Sequence, residues 1–175
     1  MSKTTISAEN MLQQVLPELK RKGFRTVILQ GEKEVKDFIN SHVPDKTIVG
    51  LGDSITTCKL NLRHLLASKG TTIFYSWNGS YNYNRSLDTF EIPARPDYYI
   101  TRINALTTSG ELLMKDYDKN AARDGNFPAH VMAFIGLNRL TDKLDDTESR
   151  IKYPVISSCP EGIKFTIALL PFLDY

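Results

Sequence analysis

The segment with the clearest chemical potential is a glycine turn that carries three hydroxyl side chains, Gly50-Leu51-Gly52-Asp53-Ser54-Ile55-Thr56-Thr57. Glycines let the backbone approach a ligand closely, and the first N–H groups of a helix attract anions. The alternative is a tight strand-to-helix turn capped by Asp53 or Ser54. The segment matches neither GxGxxG nor a Walker A loop, and the charge of Asp53 disfavours a bound phosphate.

A second group of polar side chains lies within the apolar run Thr101-Arg102-Ile103-Asn104-Ala105-Leu106-Thr107. Asn104 and Thr107 need hydrogen-bond partners there, because an unpaired buried polar group costs about 1–3 kcal/mol. They either bond to neighbouring backbone or bind the same ligand as the glycine turn. The second possibility follows from the position of sites in open α/β sheets, which collect at the carboxyl ends of strands.

The cysteines and histidines predict neither a metal site nor a redox pair. Cys58 and Cys159 are the only two cysteines in the sequence, and no histidine stands at metal-ligand spacing from either. The histidines are scattered, which is typical of surface or packing positions: His42, His64 and His130. We therefore predict that this chain binds no metal ion and no cofactor of its own.

The elements that must position these residues alternate between helix and strand. Amphipathic spacing predicts helices over residues 8–22, 32–43 and 55–68. Apolar and β-branched runs predict strands over residues 24–29, 47–52, 71–77, 97–107, 130–136 and 164–170. This alternation is typical of an α/β fold whose largely parallel sheet is flanked by helices.

The remaining segments are mostly polar. A return strand over residues 111–115, after a turn at 108–110, predicts an antiparallel hairpin. We predict irregular structure over 78–96, a polar loop over 116–126 and a polar helix over 141–152.

Length and charge exclude several classes of protein. A chain of 175 residues can bury roughly 70% of its unfolded surface, so we predict one domain over 1–175 that needs no disulfide to fold. The net charge of +2, from 22 basic and 20 acidic residues, disfavours nucleic acid or an anionic membrane as a partner. Without an apolar signal core or a run of ~18 apolar residues, we expect a soluble, cytoplasmic protein.

Taken in order, the motifs resemble the LUD-domain family, the small subunit of the bacterial L-lactate utilisation operon and its relatives. That family has a GxGxSxT loop, a leucine-rich helix, a strand with Asn-Ala-(Ile/Leu)-Thr, a Gly-Glu-Leu hairpin, a Gly-Asn-Arg loop and a strand ending in Gly-x-Asn-Lys. The corresponding segments here are residues 50–56, Leu60-Asn61-Leu62, residues 97–107, Gly110-Glu111-Leu112, Asn120 and Gly136-Leu137-Asn138-Arg139. The resemblance covers residues 47–151, between N-terminal helices and a strand over 1–46 and a C-terminal tail over 152–175.

The resemblance implies a fold similar to the glucosamine-6-phosphate deaminase, ribose-5-phosphate isomerase and CoA-transferase group. It also implies a role in oxidising L-lactate to pyruvate beside partner subunits that carry iron–sulfur clusters. Each cluster needs about four thiolates, and this chain has two cysteines, so we expect it to hold no cluster itself. We expect a small anionic metabolite at the glycine turn. The residues expected around it lie within the matching motifs, with Arg139 in place of the family's Lys: Gly50, Gly52, Asp53, Ser54, Thr56, Asn104, Thr107, Asn120, Asn138 and Arg139.

Two other functions fit the same residues. One is a stand-alone isomerase, deaminase or acyl-transfer enzyme acting on a sugar phosphate or a CoA-linked substrate, which needs a carboxylate or a lysine at the pocket; the local candidates are Asp53, Asp116 and Lys119. The other is a non-catalytic interaction module with an eroded site. It is suggested by Lys119-Asn120-Ala121 in place of Gly-Asn-Arg, which lacks the cation unless Lys119 or Arg123 replaces it.

Overall fold

The predicted α/β architecture is confirmed by a six-stranded sheet with helices on both faces. The computed structural model describes residues 7–52, 54–75, 95–144 and 153–173. Each pair of neighbouring strands in this sheet is parallel. In spatial order the strands are β1 (Arg25–Ile28), β10 (Lys164–Leu170), β7 (His130–Gly136), β4 (Tyr98–Arg102), β2 (Ile48–Leu51) and β3 (Thr72–Phe74).

The central strands are apolar on both faces, as expected for a parallel sheet covered from both sides. In β7 every residue from Val131 to Ile135 is buried, and so are the last four residues of β10. Because all six strands run in the same direction, their carboxyl ends share one edge of the sheet. That edge is where ligand sites of open α/β sheets form.

Helices cover the two faces of the sheet with separate hydrophobic cores. On one face lies α1 (Ala8–Arg21), which contributes Val15 and Leu19 to the first core. On the other face lie α2 (Glu32–His42) and α4 (Leu62–Ser68), whose Ile39 and Leu66 belong to the second core. The predicted helices over 8–22 and 32–43 are thus confirmed, and Pro17 lies inside α1 without ending it.

A smaller sheet packs into the first core. Its strands are, in spatial order, β8 (Leu140–Thr141), β5 (Ala105–Thr107), β6 (Leu112–Leu113) and β9 (Val155–Ile156). The pairing of β5 with β6 is antiparallel, which confirms the predicted hairpin. Leu106, Leu112 and Ile156 bury their side chains with those of α1.

The single strand predicted over 97–107 is wrong, because the chain leaves one sheet for the other in its middle. The N–H of Ile103 still donates to the carbonyl of Phe134 in β7, at 2.9 Å. The next N–H, that of Asn104, donates at 2.8 Å to the carbonyl of Leu113 in β6. The change of hydrogen-bond partner between these two residues separates β4 from β5.

Three further predictions need correction. The helix over 55–68 is divided into α3 (Ile55–Lys59) and α4, because Asn61 adopts a left-handed conformation with φ 50°. The polar loop over 116–126 contains α5 (Lys119–Arg123), capped by the carboxylate of Asp118. The helix over 141–152 does not begin at Thr141, which ends β8. Residues 145–152, Trp77, and most of the segment 78–96 lie outside the described residues.

Candidate functional site

Gly52 lies at the carboxyl end of β2, in close contact with β4. Its N–H donates to the carbonyl of Ile100 at 2.8 Å. A Cβ atom on Gly52 would stand 2.5 Å from Oγ1 of Thr101 and 3.3 Å from Oη of Tyr99. These distances are too short for a side chain, so glycine is required for β2 to approach β4 here. The space that a side chain would fill is occupied by the hydroxyl groups of Thr101 and Tyr99.

Asp116 receives hydrogen bonds from both of these hydroxyl groups. Tyr99 Oη donates to Asp116 Oδ2 at 3.1 Å, and Thr101 Oγ1 donates to the same oxygen at 3.2 Å. Tyr99 and Thr101 are buried, with exposed fractions of 1% and 0%, whereas Asp116 is half-buried. Two buried donors thus fix one carboxylate oxygen, and among the described residues no donor is found for Oδ1.

Tyr99 remains a hydroxyl donor over the physiological pH range. Burial raises the pKa of its phenol well above the ordinary value, and the negative charge of Asp116 raises it further. The phenol therefore keeps its proton and can donate it to the carboxylate. This arrangement orients the carboxyl group of Asp116.

Asn104 holds the backbone next to Asp116. Its Oδ1 accepts from the N–H of Lys115 at 2.9 Å, and its own N–H bonds to Leu113. The amide oxygen thus meets a backbone partner, which is one of the two alternatives considered for this residue. Asn104 positions the segment that carries Asp116.

Thr107 also bonds to neighbouring backbone. Its Oγ1 accepts from the N–H of Glu111 at 2.9 Å and lies 2.9 Å from Oγ of Ser109. Thr107 is buried within the hairpin turn. Its hydroxyl stabilises that turn, and its predicted contact with a ligand remains a prediction.

The hydroxyl groups after Gly52 form the N-terminal cap of α3. Ser54 Oγ accepts from the N–H of Thr57 at 3.1 Å, and Thr57 Oγ1 accepts from the N–H of Ser54 at 3.3 Å. Thr57 Oγ1 also donates to the carbonyl of Gly52 at 2.9 Å. This reciprocal capping box is the structural alternative considered for the turn, with Ser54 as the cap. The predicted contact of Ser54 with a ligand remains a prediction.

The other predicted ligand residues lie at several places in the fold. Gly50 lies in β2, between β4 and β3, and pairs with Tyr99 of β4. Thr56 is buried in α3, and Asn120 is exposed on α5. Asn138 and Arg139 are exposed in a 3-10 turn after β7, at the same edge of the sheet as Gly52. Their roles remain predictions, and Asp53 lies outside the described residues.

The sequence interpretation missed Tyr99 and Thr101. They are two residues apart on β4 and therefore point to the same face of the sheet, which could have marked them as a pair of hydroxyl groups. Asp116 was considered only for the alternative enzyme. Among the described residues no group of His, Cys, Asp or Glu is placed to hold a metal ion, and no described helix is long and apolar enough to cross a membrane.

The fold and this site define an α/β protein with a polar center at the carboxyl edge of a parallel sheet. The LUD-domain family model matches residues 12–164, so the chain belongs to the LUD-domain family. The matched segment is wider than the 47–151 covered by the motifs.

A solved structure has a similar fold. It is the crystal structure of a DUF162 family protein from Deinococcus radiodurans, with a TM-score of 0.57 and 10% sequence identity. The likeness covers 94% of this chain and 98% of that chain. At this identity it concerns the fold alone. Among curated proteins, the sequence search finds no match.

Proposed function

We propose that this LUD-domain protein acts in the utilisation of lactate or a related organic acid, and that it binds the acid beside Asp116. Membership of the family supports a role related to lactate utilisation. The observation that carries the proposal is the carboxylate of Asp116, held through one oxygen by Tyr99 and Thr101 at the carboxyl edge of the sheet.

A carboxylate fixed in this way is suited to a ligand that carries a hydroxyl group. An ionised carboxylate only accepts hydrogen bonds, so Oδ1 of Asp116 would pair with the hydroxyl of a 2-hydroxy acid. The corresponding keto acid offers no such donor. Because a site built to bond a hydroxyl discriminates strongly against an analogue that lacks it, we expect L-lactate to bind more tightly than pyruvate.

Asp116 can also accept the hydroxyl proton when such an acid is oxidised. A general base must lie within hydrogen-bond reach of the proton that it removes, and a 2-hydroxy acid bound as proposed would place its hydroxyl group at that distance from Oδ1. The electron pair and the proton from C2 would pass to an acceptor on a partner subunit. A cluster requires about four thiolates, but the sequence has only Cys58 and Cys159, so an iron–sulfur cluster does not fit this chain and belongs to partner subunits.

The same carboxylate supports one second candidate function. An isomerase acting on a sugar phosphate needs a base that removes a proton from carbon beside a carbonyl group, and Asp116 is suitably held for that role. The two candidates differ in the ligand that should stabilise the protein.

A thermal-shift screen distinguishes them. The ligands are L-lactate, pyruvate, ribose 5-phosphate and acetyl-CoA, tested on the natural protein, on Asp116→Asn and on Asp37→Asn. Asp37 is the matched control, because its exposed carboxylate pairs with Lys33 on α2, on the other face of the sheet. A ligand at a hundred times its Kd adds ~2.7 kcal/mol to the stability of the native state, or roughly 5–10 °C in Tm at this chain length.

We expect L-lactate to raise the Tm of the natural protein and of Asp37→Asn, and to have a much smaller effect on Asp116→Asn. A shift with ribose 5-phosphate in place of lactate would favour the second candidate, whereas a shift with acetyl-CoA alone would contradict both and favour an acyl-transfer enzyme. A well-folded protein that responds to none of the four would contradict both, and would support the non-catalytic interaction module.

A further inference from the structure

A groove lies between α5 and the chain that leads from β9 into β10. Its volume is about 610 Å³, within the range of small-molecule sites in proteins. The apolar part of its lining includes Tyr117 and Ile156, which are 9% and 3% exposed. Such a lining can cover the organic part of a ligand, and the volume is much larger than a single inorganic ion requires.

One wall of the groove is cationic. Lys119 and Arg123 both line it, and they are four residues apart on α5, so their side chains lie on the same side of the helix. Arg123 also pairs with Asp124 at 3.0 Å, but both side chains are largely exposed. Exposed ion pairs are weak, so this pair leaves Arg123 able to bind another anion.

The opposite wall supplies hydroxyl groups and one negative charge. Ser157 and Ser158 line the groove and are exposed, so their hydroxyl groups are accessible to a ligand. Glu161 lies on the same wall. A bound anion would therefore be attracted by Lys119 and Arg123, and repelled by Glu161 and by Asp124, the partner of Arg123.

We infer that this groove binds an organic phosphate, with the phosphoryl group between α5 and the two serines and the organic part against Tyr117 and Ile156. A phosphoryl group presents several strong acceptor oxygens at once. The guanidinium fork of Arg123, the ammonium of Lys119 and two hydroxyl groups are the donors that match such a group. A phenyl or similarly sized apolar moiety would contact Tyr117 and Ile156, which form the apolar floor of the groove.

This site is separate from Asp116, although the two are neighbours in the chain. Asp116 bonds to Thr101 and Tyr99, whereas Tyr117 packs edge-on against Phe127 with ring centres 5.2 Å apart and lines the groove. The inference does not depend on the proposed function. A ligand in the groove should bind equally well when Asp116 is changed to Asn.

Phenyl phosphate is a suitable probe, with inorganic phosphate and phenol as its two parts. Isothermal titration calorimetry would be carried out on the full chain and on five variants: Lys119→Ala, Arg123→Ala, Glu161→Gln, Asp116→Asn and Lys36→Ala. Lys36 is exposed on α2, which covers the opposite face of the sheet, and serves as the matched control. Circular dichroism and Tm would establish that each variant is folded.

We expect each cation removed from the groove to weaken phenyl phosphate binding about tenfold, as for a charge-assisted hydrogen bond. Glu161→Gln should strengthen binding about threefold, because it removes a like charge from the wall. Asp116→Asn and Lys36→Ala should leave the Kd unchanged. Two outcomes would overturn the inference: no binding of phenyl phosphate, or binding that is indifferent to Lys119→Ala, Arg123→Ala and Glu161→Gln. Inorganic phosphate binding as tightly as phenyl phosphate would overturn the role of the apolar floor.

Discussion

Thr101 occupies the space that a side chain on Gly52 would need, since a Cβ on Gly52 would stand 2.5 Å from Oγ1 of Thr101. The same Oγ1 donates to Asp116 at 3.2 Å. The glycine and the carboxylate are therefore linked through one hydroxyl group. A side chain introduced at Gly52 should displace Thr101 and thereby weaken the hydrogen bond to Asp116, without contacting Asp116 itself.

Gly52→Ser tests this link. The added side chain must displace Thr101, and overpacking of a well-packed interior costs about 1–3 kcal/mol, which is roughly 2–12 °C in Tm at this length. Gly31→Ser is the matched control, because nothing lies within 4 Å of a Cβ at Gly31 and serine is favoured at its N-cap position. Equal Tm values for the two variants would contradict the close approach of β2 to β4.

Thr101→Val removes one of the two donors to Asp116 and keeps the shape of the side chain. A hydrogen bond to a charged group contributes about 1.5–3 kcal/mol, so the free energy of unfolding in urea should fall by about that amount. Tyr99→Phe removes the other donor. Because both donors bond to the same oxygen, Oδ2, the stability lost in the double variant should differ from the sum of the losses in the two single variants. Thr26→Val, at an exposed position of β1, should change little. Strict additivity of Thr101→Val and Tyr99→Phe would show that the two donors act independently.

The sequence predicted the elements of the large sheet because its strands are short apolar runs separated by helical spacing. It did not predict the change of sheet between Ile103 and Asn104, since both sides of that point are apolar and look like one strand. The change depends on the carbonyl group of Phe134, which is distant in the sequence, and on that of Leu113 across the hairpin. Local periodicity does not show at which residue the first partner is exchanged for the second.

The candidate site divides in a similar way. The glycine turn and Asn104 were recognisable, because their residue types are unusual in apolar surroundings. The hydrogen bond between Thr101 and Asp116 was not recognisable. These residues are 15 positions apart, and the hairpin between them sets the distance between their side chains. Ser54 was correctly considered as a cap, and its local hydrogen bonds explain why a pattern of a few residues sufficed.

Ser54→Ala should lower stability even when no ligand is present. The serine side chain caps α3, and loss of such a cap costs about 0.5–2 kcal/mol. Urea unfolding of Ser54→Ala would be compared with Ser158→Ala, whose side chain is exposed and should contribute little to stability. An unchanged free energy of unfolding for Ser54→Ala would show that the cap does not contribute to stability.

Tyr99 should make the protein less stable in alkali. Burial and the charge of Asp116 raise the pKa of its phenol in the folded state, while the unfolded phenol has its ordinary pKa of about 10. Its contribution is therefore fully present below about pH 10 and is lost as the pH rises toward the folded pKa, since the unfolded state then binds fewer protons. The free energy of unfolding in urea, measured from pH 8 to 11, should fall less steeply for Tyr99→Phe than for the natural protein. Tyr117→Phe gives a comparison at a second tyrosine whose pKa burial also raises. Identical slopes for the natural protein and Tyr99→Phe would mean that the phenol is not held protonated against Asp116.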